Sequence, residues 1–166
     1  MEASISSIII DGYNLIGIHH TDLEAERNRL IELLIKYKKK TGHSVTVVFD
    51  GWKGGSRTES SALRGGVNII YSRLGEKADS VIKKIISTDR REWIVVSSDR
   101  EIASYAWSVN SVPVPAETFM GFTGITEASG SYGTDEDEPE QEAIRKGNPN
   151  RPSKKERALH RALSKL

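Results

Sequence analysis

A chain of 166 residues has room for one α/β core and a tail, but not for two independent enzymatic domains. It has no cysteine, which excludes a disulfide framework, a thiolate nucleophile and cysteine-ligated zinc. Lys and Arg number 24 against 23 Asp and Glu, so the net charge of +1 gives no bulk sign of a nucleic-acid partner.

That charge is unevenly spread, with 16 positive and 15 negative side chains over residues 1–123, none and 7 over 124–142, and 8 and 1 over 143–166. His19, His20, His43 and His160 show no HExxH-type spacing, which argues against a histidine-rich metal site. No apolar run approaches the roughly 18 residues of a membrane span, and the first residues lack a basic segment followed by a long apolar one. A soluble, cytoplasmic protein without membrane contact is expected.

In chain order, Ile5 to Ile10 reads as a first strand. Asp22 to Lys40 follows as a helix, with Leu23, Arg27, Leu30, Ile31, Leu34 and Tyr37 at helical spacing, Thr21 or Asp22 as the cap and Gly42 as the stop. Its closing run Lys38-Lys39-Lys40 suits the negative end of the helix dipole. Val45 to Phe49 and Val67 to Tyr71 are strands, Glu76 to Ile86 a helix, Trp93 to Val96 a strand, Arg100 to Trp107 a helix and Val112 to Val114 a short strand. The strands are continuous apolar runs rather than alternating ones, so both faces of a mainly parallel sheet are expected to be covered by helices.

From Gly124 the apolar period disappears and acidic residues accumulate, so residues 124–150 read as a flexible acidic linker. Residues 151–166 recover a basic amphipathic helix. Ser153 and Glu156 fit a capping box, and Ala158, Leu159, Ala162, Leu163 and Leu166 form the apolar stripe. This helix either docks on the core or meets a partner.

Three strands run into aspartates: Asp11, Asp50 and, after Ser97-Ser98, Asp99. The C-terminal ends of parallel strands line one crevice, so these carboxylates should converge. Two such charges about 4 Å apart cost on the order of 4 kcal/mol at an effective dielectric near 20, which calls for raised pKa values or a bound cation. Hard divalent ions, Mg²⁺ or Mn²⁺, suit an all-oxygen donor set. Glu76 and Asp79 share a face at the start of a helix, with Asp79 on the stripe through Ile82 and Ile86 and so turned toward the sheet. Each residue also has an ordinary explanation. Aspartate after a strand is a common turn former or cap, Asp99 can cap the helix at Arg100, and Glu76 is a normal first-turn acid.

The stretches Asp-Gly-Tyr-Asn at 11–14, Val-Val-Phe-Asp-Gly at 47–51, Glu-Lys-Ala-Asp at 76–79 and Ser-Ser-Asp at 97–99, in this order, resemble NYN domains. These are a branch of the PIN-like and FEN-like metal-dependent nucleases, and the likeness is to the bacterial YacP-like group. The resemblance covers about residues 5–123, which makes residues 1–123 the expected nuclease domain. It implies a Rossmann-like PIN/NYN α/β fold that binds Mg²⁺ or Mn²⁺ for RNA phosphodiester hydrolysis, with translation-coupled cleavage of mRNA and ribosome association in the background of the group. Asp11, Asp79 and Asp99 then correspond to the metal-binding core and Asp50 and Glu76 to supporting acids. Asn14 corresponds to the residue that orients the first aspartate or a metal-bound water. No histidine is placed as a general base, so a metal-activated water is the expected nucleophile.

The glycine-rich segment 51–66 carries Trp52 for stacking and Lys53, Arg57 and Arg64 for phosphates, and Arg73 extends the basic path. A plain surface loop accounts equally for its composition. Tyr13 and Trp107 are as readily packing residues as stacking ones. The competing function is a non-catalytic RNA-binding or ribosome-binding adaptor, which would gain nothing from carboxylates that repel phosphate. Receiver-type and haloacid-dehalogenase phosphatase domains need acidic pairs that Asp11-Gly12-Tyr13 does not supply.

Overall fold

The computed structural model of the chain describes residues 5–16, 22–51, 60–89, 91–123 and 152–166. Twelve elements follow in order: β1 (Ser7–Asp11), α1 (Gly12–Ile16), α2 (Leu23–Thr41), β2 (Ser44–Phe49), β3 (Ser60–Arg64), β4 (Val67–Tyr71), α3 (Ala78–Thr88), β5 (Trp93–Val96), α4 (Arg100–Ser108), β6 (Val112–Val114), α5 (Ala116–Thr123) and α6 (Lys154–Lys165). They build one six-stranded sheet in the order β3-β4-β2-β1-β5-β6, parallel throughout except for the β3–β4 hairpin. The α/β architecture, a mainly parallel sheet with helices on both faces and a C-terminal helix, is as expected from the sequence.

Residue alternation in the strands makes two cores. Ile8, Ile10, Val45, Val47 and Phe49 face one side, where α1, α2, α5 and α6 pack. Ile9, Val48, Ile70 and Val95 face the other, against Ala78, Val81, Ile82 and Ile86 of α3 and Ile102 and Ala106 of α4. Because both faces are covered, β2 and β5 are buried almost throughout, which is why their sequences show no polar alternation.

Element ends follow local chemistry. The Asp22 side chain accepts the Ala25 N–H at α2, and Gly42 closes it with φ 75°, a conformation that favours glycine. The turn between β3 and β4 carries Gly65 and Gly66 at φ 57° and 85°, the two positive angles of a tight type I′ hairpin.

Several expectations need correction. The first strand runs Ser7–Asp11 rather than from Ile5, whose side chain is exposed at the sheet's end. Helix α3 starts at Ala78, with Lys77 at its N-cap, so Glu76 precedes the helix and does not share a helical face with Asp79. The buried row of α3 is Ala78, Val81, Ile82 and Ile86, and Asp79 lies at its margin. Residues 60–64 form the edge strand β3, where a continuous loop was expected. The proposed linker, 124–150, lies outside the described residues. α6 docks on the first core through Ala162, with Ala158, Leu159, Leu163 and Leu166 partly buried beside it. No helix among the described residues is long and apolar enough to cross a membrane.

Candidate functional site

Strand β1 lies at the centre of the parallel strands, and the chain's path reverses between β1 and β5. In an open α/β sheet this switch point leaves a crevice at the C-terminal strand ends. Asp11 ends β1 inside that crevice. Its carboxyl is pushed up to about 6, first by burial, then by the neighbouring charge of Asp50, with Asp99 adding to it. The Asn14 backbone N–H and the Ser97 hydroxyl pull the other way by donating to the carboxylate, the latter at 3.4 Å. Asp11, Asp50 and Asp99 are thus brought into electrostatic contact.

A hydrogen-bond frame fixes the loops around Asp11. Ser97 Oγ accepts the Asp99 N–H at 3.1 Å while donating to Asp11, so one serine ties the β5–α4 loop to the end of β1. Asn14 Oδ1 accepts the Ser98 N–H at 2.8 Å and makes a second link across the same gap. Ser98 Oγ accepts the Ala116 N–H at 3.0 Å and donates to Glu117 of α5 at 3.2 Å, which brings another acid to the rim.

Asp50 Oδ1 accepts the Ala78 N–H at 2.6 Å, so it supplies the α3 N-terminus with a cap that Lys77 does not. Asp99 Oδ1 accepts the Glu101 and Ile102 N–H groups at 2.8 and 3.4 Å, the capping role that its position also allows. Among the described residues no hydrogen bond engages the second oxygen of either carboxylate. The loops after β2 and β4 are held together as well. Gly51 N–H donates to Ser72 Oγ at 2.9 Å, and Ser72 Oγ donates to the Glu76 carbonyl at 2.6 Å.

Asp79 stands a little apart. It accepts the Ser80 N–H at 2.9 Å and lies 3.9 Å from Lys83, which reaches Glu101 at 2.8 Å. That bond to Glu101, followed by the charges of Glu101, Asp79 and Asp99, raises the Lys83 ammonium above its ordinary value. Glu76 pairs with Arg73 at 3.3 Å on a shallow basin formed with Leu74, Gly75, Lys77 and Ser80.

A family model described as the YacP-like NYN domain matches residues 8–163. The chain belongs to the YacP-like NYN family. This match includes α6 as well as the sheet. The curated Bacillus subtilis (strain 168) protein named "Uncharacterized protein YacP" is 32% identical in an 87-position alignment that covers 47% of this chain. The chain thus spans about half the length of that relative, 49%. Two crystal structures of Rae1 (YacP) from Bacillus subtilis share the fold. One has TM-score 0.60 at 23% identity over 73% of this chain and 75% of that one. The other, of a single-substitution mutant, has TM-score 0.59 at 22% identity over 73% and 76%. The NYN fold is nuclease-like and RNA-related.

The predicted residues of this NYN chain do not all fall together. Asp11, Asn14, Asp50 and Asp99 meet at the crevice, while Asp79, Glu76 and Arg73 lie along its α3 side. Arg64 does not share this edge. It pairs with Val67 at the start of β4, at the sheet's opposite end, and its guanidinium binds Glu32 of α2 at 3.0 Å. Trp52, Lys53 and Arg57 lie outside the described residues. Tyr13 is buried edge-on to Phe49, their ring centroids 5.1 Å apart.

Ser97, Glu117, Lys83 and Arg27 were not singled out as site residues by sequence. Arg27 donates to Tyr13 Oη at 3.3 Å and lies over the Tyr71 ring, and its buried Nε has no partner among the described residues. Its position within an apolar stripe of α2 was the available signal. As donors, the NYN acids fit a hard divalent ion: all are oxygens, and the mutual repulsion felt by Asp11 is the condition such an ion relieves. With the side chains as they stand, no three acids or histidines among the described residues are disposed to hold one ion.

Proposed function

We propose that this protein is a divalent-cation-dependent endoribonuclease that hydrolyses phosphodiester bonds of single-stranded RNA at the C-terminal edge of its sheet. The observation that carries this reading is the partly buried Asp11 carboxyl held against Asp50 and Asp99 at the switch point of a YacP-like NYN chain. An ordinary fold has no use for that repulsion. Mg²⁺ or Mn²⁺ bound by Asp11, Asp79 and Asp99, with Asp50 and Glu76 in support, would supply positive charge at the phosphoryl oxygen and lower the pKa of a water.

The chain's own groups prepare that site. Ser97 and Asn14 hold the Asp99 loop against β1, Asp50 anchors α3, and Lys83 pairs with Asp79 one turn along the helix. Arg73 is exposed on the rim, where its guanidinium can take a phosphate of the strand. No described histidine serves as base. His43 lies at the far edge of the sheet and His160 on the exposed side of α6, while His19 and His20 are outside the described residues.

The test is incubation of end-labelled single-stranded RNA with Mn²⁺ or Mg²⁺. Cleavage is expected in the native protein, abolished by EDTA, and reduced about 100-fold or more in Asp11→Asn and in Asp99→Asn. Cleavage that survives both substitutions, or proceeds in EDTA, overturns the reading.

A further inference from the structure

A second cleft lies at the opposite edge of the sheet from the acidic crevice. It has a volume of about 400 Å³ and is bounded by Glu92 before β5, Ser111 and Val112 at the start of β6, Trp107 at the end of α4, and the first half of α6. That size falls within the roughly 300–1,000 Å³ of small-ligand pockets. α6 contributes Lys154, Lys155 and Arg161, against Glu92 as the only acid among the described lining residues. None of the three cations forms an ion pair among the described residues. The Lys155 ammonium lies 5.6 Å from the centre of the Trp107 ring, which is half-buried.

Helix stability does not explain this cluster. Lys154 and Lys155 occupy the first turn of α6, where the dipole disfavours cations, and the capping box of Ser153 and Glu156 already satisfies that end. An indole face beside three cations that form no ion pair among the described residues has the composition that binds a nucleotide through both base and phosphate.

We infer that this cleft is a second RNA-binding subsite, in which one base of a single strand stacks on Trp107 and its phosphates lie among Lys154, Lys155 and Arg161. It presents to RNA a surface of the opposite sign to the acidic crevice and holds the strand without cleaving it. The RNA identity of the ligand rests on the proposed function, while the cleft itself does not.

The experiment titrates the full chain with a short single-stranded oligoribonucleotide in EDTA, so that no cleavage intervenes, and follows the indole N–H resonances by NMR. The Trp107 signal should shift, and affinity should fall about five- to a hundredfold in Lys155→Glu, in Arg161→Glu and in Trp107→Ala. The two charge reversals lie on exposed positions and should keep the native melting temperature, which guards against a folding defect in Trp107→Ala. Inorganic phosphate should bind much more weakly than the oligonucleotide. An unmoved Trp107 signal, unchanged affinity in the charge-reversal variants, equal binding of phosphate alone, or equal binding of a glutamate-rich peptide each overturns the inference. Cleavage is measured separately with Mn²⁺. Loss of RNA cleavage only in Asp11→Asn would leave the cleft intact, and an unresponsive cleft in a cleaving protein would remove this inference alone.

Discussion

Asp11 is the residue at which the fold sacrifices stability. Its carboxyl is raised from an ordinary 3.8 to about 6, so between those values the folded chain holds a proton that the unfolded chain has released. By linkage, stability falls as pH rises through about 6, and the penalty, with a ceiling of about 3 kcal/mol, is fully present above pH 7 and absent below pH 4. In EDTA, Asp11→Asn should therefore stabilise the protein by about 1–3 kcal/mol at pH 8, with the gain vanishing toward pH 4. Urea denaturation across that range checks it, and a gain that grows toward acid would contradict the assignment. A neighbouring backbone constraint is the opposite case. A Cβ on Gly51 would stand 1.5 Å from the Ser72 carbonyl oxygen, a rigid backbone atom. Gly51→Ala should thus cost about 1–3 kcal/mol or more and dislodge Asp50 from the α3 N-terminus, read as a lower urea midpoint. The convergence of Asp11, Asp50 and Asp99 could be read from the sequence because strand ends in a parallel sheet leave little freedom. Ser97, Lys83 and Glu117 could not, since short polar residues after a strand and acids or lysines on a helix surface look the same whether or not they meet a site.

Among the elements, α6 is held by more than its apolar stripe. The Ser6 N–H donates to His43 Nδ1 at 3.1 Å, so Nε2 carries the ring proton and donates it to the Lys165 carbonyl at 2.7 Å. Tyr37 Oη donates to the Leu166 carbonyl at 3.3 Å, and burial pushes that phenol up to about 12. His43→Ala would leave the buried Ser6 N–H unpaired and release the end of α6, at a cost of about 1–3 kcal/mol. Hydrogen exchange should show α6 amides losing protection more than those of β1 and β2; uniform loss would mean that the helix opens only with the whole fold. The capping box and stripe of α6 were legible, as were the limits of β4, β5 and β6, because long apolar runs and caps are local signals. Three elements were not. α1 has five residues, too few to show a helical period, and β3 is exposed along its whole length, so no burial pattern marks it. α5 carries a glycine and packs through Phe119 on a core that only the folded sheet creates.

Across the described residues, charge is divided between an acidic crevice at the C-terminal strand ends and a basic cleft at the other edge. Such a division stabilises nothing by itself, and the acidic half costs free energy until a cation neutralises it. A divalent ion that binds the folded but not the unfolded chain stabilises it by mass action, by about 2.7 kcal/mol when its concentration is 100 times its Kd, and so raises the melting temperature. On the proposed assignment ion and proton would compete for the same Asp11 oxygens, and Asp11 holds its proton up to about pH 6. Millimolar Mn²⁺ should therefore raise the melting temperature clearly at pH 8 and little at pH 5, and should have no effect at pH 8 in a chain carrying both Asp11→Asn and Asp99→Asn. Monovalent salt at the same ionic strength in place of Mn²⁺ separates this from general screening, since screening alone would be reproduced by the salt. A shift of equal size at both pH values, or one that persists in the double variant, would place the ion away from the crevice and leave the repulsion at Asp11 without a counter-charge.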